Sequence, residues 1–189
     1  MKRYPGYVFG ASQPQLYQFV KDAYPALYKR IKAAVKAGTW ECQGGMWVEA
    51  DNNLPSGESL IRQFIHGKNF FKEEFGVDVK NLWLPDVFGY NGNTPQIMKI
   101  CGCDYFLTQK LSWNKTNAIP YNTFQWEGID GTRVTTHFPP ADNYNSAMRS
   151  GELARSLTRR ARSTWSSQGP PPPSPYPNEQ STWSFSSFC

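Results

Sequence analysis

Asn81-Leu82-Trp83-Leu84-Pro85-Asp86-Val87-Phe88-Gly89-Tyr90 is the stretch on which the reading of the whole chain turns. Leu82, Trp83 and Leu84 make a short apolar strand, and Pro85 ends it because proline has no N–H to give a β-ladder. The first side chain past that stop is the carboxylate of Asp86. Open α/β sheets build their sites at the carboxyl edge of the strands, so Asp86 is the leading candidate for chemistry. Trp83, Phe88 and Tyr90 stand ready as aromatic walls around it. Taken alone, the same residues also spell an ordinary turn, since Asp beside Pro and ahead of Gly is a common turn former.

Upstream, Tyr7-Val8-Phe9 reads as an opening strand and Gly10 to Pro14 as the turn into a helix. Leu16, Phe19 and Val20 recur at helical spacing, Tyr24-Pro25 interrupts, and Leu27, Ile31, Ala34 and Val35 resume the pattern up to Gly38. Thr39 to Gln43 reads as a second strand closed by Gly44-Gly45. The segment Met46 to Asp51 beyond it ends on another strand-edge carboxylate. A helix follows from Ser56 to Phe75, carrying Leu60, Ile61, Phe64, Ile65, Phe70 and Phe71, with Gly67 tolerated inside it. Downstream of the Asp86 stretch come a helix after Asn93-Thr94-Pro95, a strand at Tyr105 to Thr108, and a hairpin formed by Phe124–Glu127 and Arg133–Phe138. Strands alternating with helices predict an α/β fold, a mainly parallel sheet with crossover helices that ends in a β-hairpin.

The chain has 189 residues, 39% hydrophobic and 15% aromatic, which is enough for one packed domain. Its net charge of +5 is concentrated where Arg149, Arg155, Arg159, Arg160 and Arg162 crowd together. That patch lacks interleaved aromatics and any nucleic-acid motif, so nucleic acid is not among the expected partners. The four cysteines include Cys101 and Cys103, one residue apart, a spacing that fits neither a disulfide framework nor a zinc or redox pair. Buried reduced thiols are expected, together with a cytoplasmic setting, a vacuolar or lysosomal one staying open. No leader and no membrane-spanning run is read in the sequence. From Ala147 onward Ser, Arg and Gly and the run Pro170–Pro173 replace the periodic patterns, so residues 147–189 are expected to form a disordered tail.

Four blocks in order, Gly44–Asp51, Trp83–Tyr90, Phe106–Asn114 and His137–Pro140, resemble the glycoside hydrolase family 38 α-mannosidases, and most of all their cytosolic and microbial branch. The resemblance covers residues 4 to about 146 and not the tail. It implies part of a barrel-like catalytic domain and a retaining, metal-assisted hydrolysis of terminal α-mannosyl residues from mannosides or free oligosaccharides. It also implies one divalent metal, usually zinc, in the sugar pocket. Asp86 falls on the family's nucleophile, which also ligates the metal. An ionised carboxylate attacking the anomeric carbon, with a cation on the ring hydroxyls, is coherent chemistry for such a reaction.

The same resemblance leaves other roles less complete. Asp142, in the loop after Pro139-Pro140, is the acid/base candidate, and a turn aspartate is the alternative. Lys110 and Asp51 are candidate hydroxyl contacts, with a surface lysine and a helix cap as the plain readings. Trp83, Tyr90 and Trp113 are candidate sugar platforms. The family's other metal ligands, a His-x-Asp pair and a distant His, have no counterpart, for the only histidines are His66 and His137. His66 reads as a surface or helix-packing residue, and His137 matches no ligand position. The resemblance therefore points to a segment of the enzyme. The alternative is an inactive piece, or one that binds mannosides weakly.

Overall fold

The computed structural model describes residues 4–113, 121–143, 145, 147, 149–154, 156 and 157. In chain order come β1 (Phe9–Ala11), α1 (Pro14–Ala23), α2 (Pro25–Lys36), β2 (Trp40–Cys42), α3 (Gly57–Phe75) and β3 (Asn81–Trp83). They are followed by α4 (Thr94–Ile100), β4 (Tyr105–Leu107), a 3-10 turn at Lys110–Trp113, β5 (Thr123–Glu127) and β6 (Arg133–His137).

The helices stop and start where local chemistry requires. Pro14 and Pro25 sit in the first turns of α1 and α2, where a missing N–H costs nothing. α3 is capped by Ser56, whose hydroxyl accepts from Ser59 N at 3.2 Å, and it ends at Gly76, which takes the left-handed conformation at φ 70°. Its buried face runs through Leu60, Phe64, Gly67, Phe70 and Phe71. Gly67 is required there, not merely tolerated. A Cβ built on it would lie 2.3 Å from Gly45 O and 2.6 Å from Met46 C, so the helix rests directly on the backbone of the loop after β2.

β1 and β2 pair in parallel, and a second sheet has the order β3-β4-β6-β5, parallel except for the β5–β6 hairpin. The fold is thus mixed α/β with a mostly parallel sheet. β6 inserts beside β4, which pushes β5 to the edge. No ladder joins β2 to β3 among the described residues. Asn81 bridges them instead: its backbone O accepts from Gly45 N at 2.8 Å, and its side chain accepts from Gly44 N and donates to Gln43. β1 lies two residues later than the sequence suggests, because Gly10 and Ala11 pair with Glu41 and Cys42. Tertiary pairing has overridden local propensity there.

Two apolar clusters fill the interior. One gathers Leu60, Phe64, Leu82, Leu84, Met98, Phe106, Trp126 and Val134 between α3, α4 and the larger sheet. The other gathers Tyr17, Tyr28, Ile31, Cys42, Phe70, Phe71 and Val79 beneath α1 and α2. Cys42 and Cys103 are buried free thiols, and burial pushes both up to about 11. Of the expected tail, residues 150–154 are helical, with Leu153 exposed. Arg159, Arg160, Arg162, the proline run and Trp165, Trp183, Phe185 and Phe188 lie outside the described residues.

Candidate active site

The loops that leave β1, β2, β3, β4 and β6 carry the polar groups that can do chemistry. Asp86 lies three residues past the end of β3, since Leu84 and Pro85 extend the chain before the carboxylate emerges. Its side chain is 52% exposed and its Oδ1 sits 2.6 Å from Lys110 Nζ. Lys110, in the turn after β4, is only 8% exposed. Its ammonium stands 3.6 Å from the centre of the Trp113 ring and 4.5 Å from that of Phe88. Two aromatic faces therefore take over much of the solvation that burial removes from this cation. Phe88 and Trp113 themselves are 75% and 63% exposed, so the cage opens to solvent on its outer side.

Beneath this pair lies a rigid polar layer. Tyr90 is buried against Phe106 and Trp126. Its hydroxyl is 2.8 Å from Leu84 O, 3.1 Å from Val87 O and 2.5 Å from Thr108 Oγ1. Tyr90 thus braces the two loops that carry Asp86 and Lys110 and presents no face to solvent. Gln109 is fully buried, and its Nε2 donates to Ser112 Oγ at 2.7 Å and to Asp142 Oδ1 at 3.3 Å. Among the described residues its Oε1 has no hydrogen-bond partner. Asp142 adopts a left-handed backbone at φ 58°, which is costly for a residue other than glycine unless the surroundings hold it.

A second carboxylate, Glu49, occupies the loop after β2. It is half-buried, and its Oε1 accepts from Ser12 Oγ at 3.0 Å and from Gln13 Nε2 at 3.4 Å. Burial raises its carboxyl above the ordinary range, the Ser12 hydrogen bond opposes this, and the charge of Asp86 adds to it. Gln13, which reaches it from the start of α1, also has a left-handed backbone, at φ 64°.

Of the residues singled out in the sequence, Asp86, Lys110 and Trp113 come together, with Phe88 completing the cage. Asp142 joins them through Gln109. Trp83 is half-buried against Gly44. Asp51 spends its two carboxylate oxygens on the backbone N–H groups of Asn53 and Leu54, closing a turn. His137 ends β6 with Nδ1 2.8 Å from Thr123 Oγ1, and burial lowers it below its ordinary range. His66 is exposed on α3. Glu49 and Gln109 escaped the sequence reading. Glu49 stands after β2 much as Asp86 stands after β3, and that repeat of a carboxylate beyond a parallel strand was the available signal.

Among the described residues the donor set does not complete a site for a resident metal ion. Among the described residues no group of three or more His, Cys, Asp or Glu side chains is arranged to hold one, and the Asp86 carboxylate is engaged by an ammonium. Zinc sites use three or four ligands.

Residues 1–169 match the model of the glycosyl hydrolases family 38 N-terminal domain, a match that runs past Ser146. Alpha-mannosidase G of Dictyostelium discoideum is 55% identical over 146 residues, covering 77% of this chain and 13% of that protein. Human alpha-mannosidase 2C1 is 54% identical over 144 residues, covering 76% of this chain and 14% of that protein. An alpha-mannosidase structure from Enterococcus faecalis superposes with a TM-score of 0.66 at 22% identity, over 85% of this chain and 19% of the other, a likeness of fold.

Proposed function

The chain belongs to glycosyl hydrolase family 38, and on that premise we propose that it carries part of the reaction centre of a retaining α-mannosidase, with Asp86 as the nucleophile. The observation that carries the reading is the Asp86–Lys110 pair, set in an open aromatic cage beyond the carboxyl ends of β3 and β4. A terminal α-mannosyl residue is the proposed substrate, on a mannoside or a free oligosaccharide. The Asp86 carboxylate attacks the anomeric carbon, the bond from that carbon to the departing oxygen breaks, and a glycosyl ester forms. Asp142 is the proposed acid that protonates the departing oxygen and, as a base, then takes a proton from the water that cleaves the ester. Gln109 holds it in place. Lys110 fixes the nucleophile's position and offers a donor to a sugar hydroxyl, and Trp113 offers a stacking face. Tyr90 acts from beneath by bracing the loops.

The reading places these strands in a barrel-like catalytic domain and the enzyme in the cytoplasm. The buried free thiols support a reducing compartment, and among the described residues no helix is long and apolar enough to cross a membrane. The chain spans 13% and 14% of the length of the two relatives named above, and the described residues do not complete a metal cage. Those two observations favour a second reading for the chain by itself: it binds mannosides weakly without turning them over.

A fluorinated mannosyl trapping reagent separates the outcomes. In an active enzyme containing this segment, peptide mass spectrometry is expected to find the hexosyl adduct on Asp86. An adduct on another carboxylate overturns the assignment. The isolated chain is expected to remain unlabelled and to release no aryl alcohol from an aryl α-mannoside.

A further inference from the structure

A cavity of about 300 Å³ opens on the outer side of α3, lined by Trp47, Ser59, Arg62, Gln63 and His66. The four helix residues stand at i, i+3, i+4 and i+7, which is one continuous helical face. Facing them is the loop after β2, held tightly: Gln63 Oε1 accepts from Val48 N at 3.1 Å, Gln63 O accepts from Trp47 N at 3.0 Å, and Trp47 O accepts from Gln15 N at 3.3 Å. Trp47 is half-buried. Its ring meets Phe70 edge-on with centroids 5.6 Å apart, its indole N–H donates to Gln15 Oε1 at 2.8 Å, and the residue contributes to the cavity lining.

We infer that this cavity is a second carbohydrate-binding site, which takes one neutral hexopyranose of a glycan outside the reaction centre. An aromatic ring surrounded by a few hydroxyl, amide and guanidinium groups is the chemistry that recognises a sugar, whose C–H face packs on the ring while its hydroxyls meet the polar rim. The volume lies at the low end for a ligand site, so it suits a single ring rather than an oligosaccharide. Charge argues for a neutral ligand. The only formal cation in the lining, Arg62, is already paired with Glu58 at 2.7 Å, leaving its remaining N–H groups as donors without a net charge to neutralise. The same loop carries Glu49 toward the reaction centre and Trp47 into this cavity, so a sugar held here steadies that loop. The choice of mannose as the sugar rests on the mannoside reading of the Asp86 site.

The test is a titration of the 189-residue chain with methyl α-D-mannopyranoside, followed through the assigned indole N–H resonances of Trp47 and Trp113. Trp47 is expected to shift saturably in the millimolar range, equally at low and high salt. Arg62→Ala and His66→Ala are expected to weaken that response at least fivefold while far-UV circular dichroism stays unchanged, as suits exposed side chains. Trp113→Phe is expected to leave it intact. A response at Trp113 alone overturns the second site and leaves the Asp86 reading standing. A response at Trp47 alone supports the second site. Silence at Trp47 overturns it. Displacement by inorganic phosphate, or a steep fall with salt, identifies an anion site and overturns the inference.

Discussion

Beneath α1 and α2 the polar groups on aromatic rings are closed off. Tyr17 donates to Ala11 O and accepts from Trp40 Nε1, while Tyr28 donates to Glu74, which also receives Lys21 and Lys32. At the carboxyl edge of the sheets the arrangement is reversed. Phe88 and Trp113 stand open around a lysine, Asp142 and Gln13 hold strained backbones, and Gln109 buries an acceptor with no donor among the described residues. Two glutamates sharpen the contrast. Hydrogen bonds from Lys21, and after burial's opposing effect those from Lys32 and Tyr28, pull Glu74 down to about 2. Glu49, with no ion pair among the described residues, is pushed up by burial. One region is built to be stable, and the other tolerates cost where chemistry is proposed.

That division can be broken by substitution. The largest expected effect is Asp86→Asn in an active enzyme containing this segment: on the proposed reading kcat/KM falls by at least about a thousandfold, roughly 4 kcal/mol of transition-state stabilisation, with only a modest fall in melting temperature as Lys110 exchanges a carboxylate for an amide oxygen. A melting shift without loss of turnover would move Asp86 to the structural side. Phe71→Ala should do the converse and cost about 3–5 kcal/mol in urea unfolding, because the ring is wholly buried among Tyr17, Phe70 and Phe75. Gly67→Ala should cost about 1–3 kcal/mol, since the added methyl meets backbone rather than a movable side chain.

The two glutamates give smaller effects of opposite sign. Glu74 has a depressed pKa in the fold, so its contribution is present above the unfolded value near 4.5 and is lost as pH falls toward about 2. Glu74→Gln is expected to lose about 1–2 kcal/mol at neutral pH, and the gap from the parent should close by pH 2. Glu49 has a raised pKa, so its neutral form is the better tolerated one, and stability is greatest below the unfolded value and declines as pH rises through the folded one. Glu49→Gln should therefore be slightly more stable than the parent at neutral pH and equal to it in acid. Thermal melts across pH 2–8 check both. Parallel curves for the two variants would erase the distinction between the regions.

Most of the order of elements could be read from the sequence, because local signals carry it. Ser56 as cap, Gly76 as stop and the spacing of Leu60, Phe64 and Phe71 mark α3 without reference to anything distant. Pro25 divides α1 from α2 for the same reason. The site was half legible. Asp86 and Lys110 lie in short blocks with a family likeness, but Glu49 acquires its surroundings from Ser12 and Gln13, 37 and 36 residues away, and Gln109 from Asp142, 33 residues away. No window along the chain contains those pairs. β1 was misplaced because Gly10 and Ala11 have little strand preference of their own.

Gly67 has a consequence that hydrophobic patterning would misjudge. On the inward stripe of α3 it occupies a place where periodicity invites a large apolar side chain, yet the fold wants nothing there. The bare Cα works as a keyway: it lets the helix seat on the loop at one rotational setting, the one that turns Leu60, Phe64 and Phe71 inward and Ser59, Arg62 and His66 outward. Any side chain at position 67 has to lift the loop from 45 to 47, and with it Glu49 and Trp47, so one buried glycine sets the geometry of the sheet's carboxyl edge.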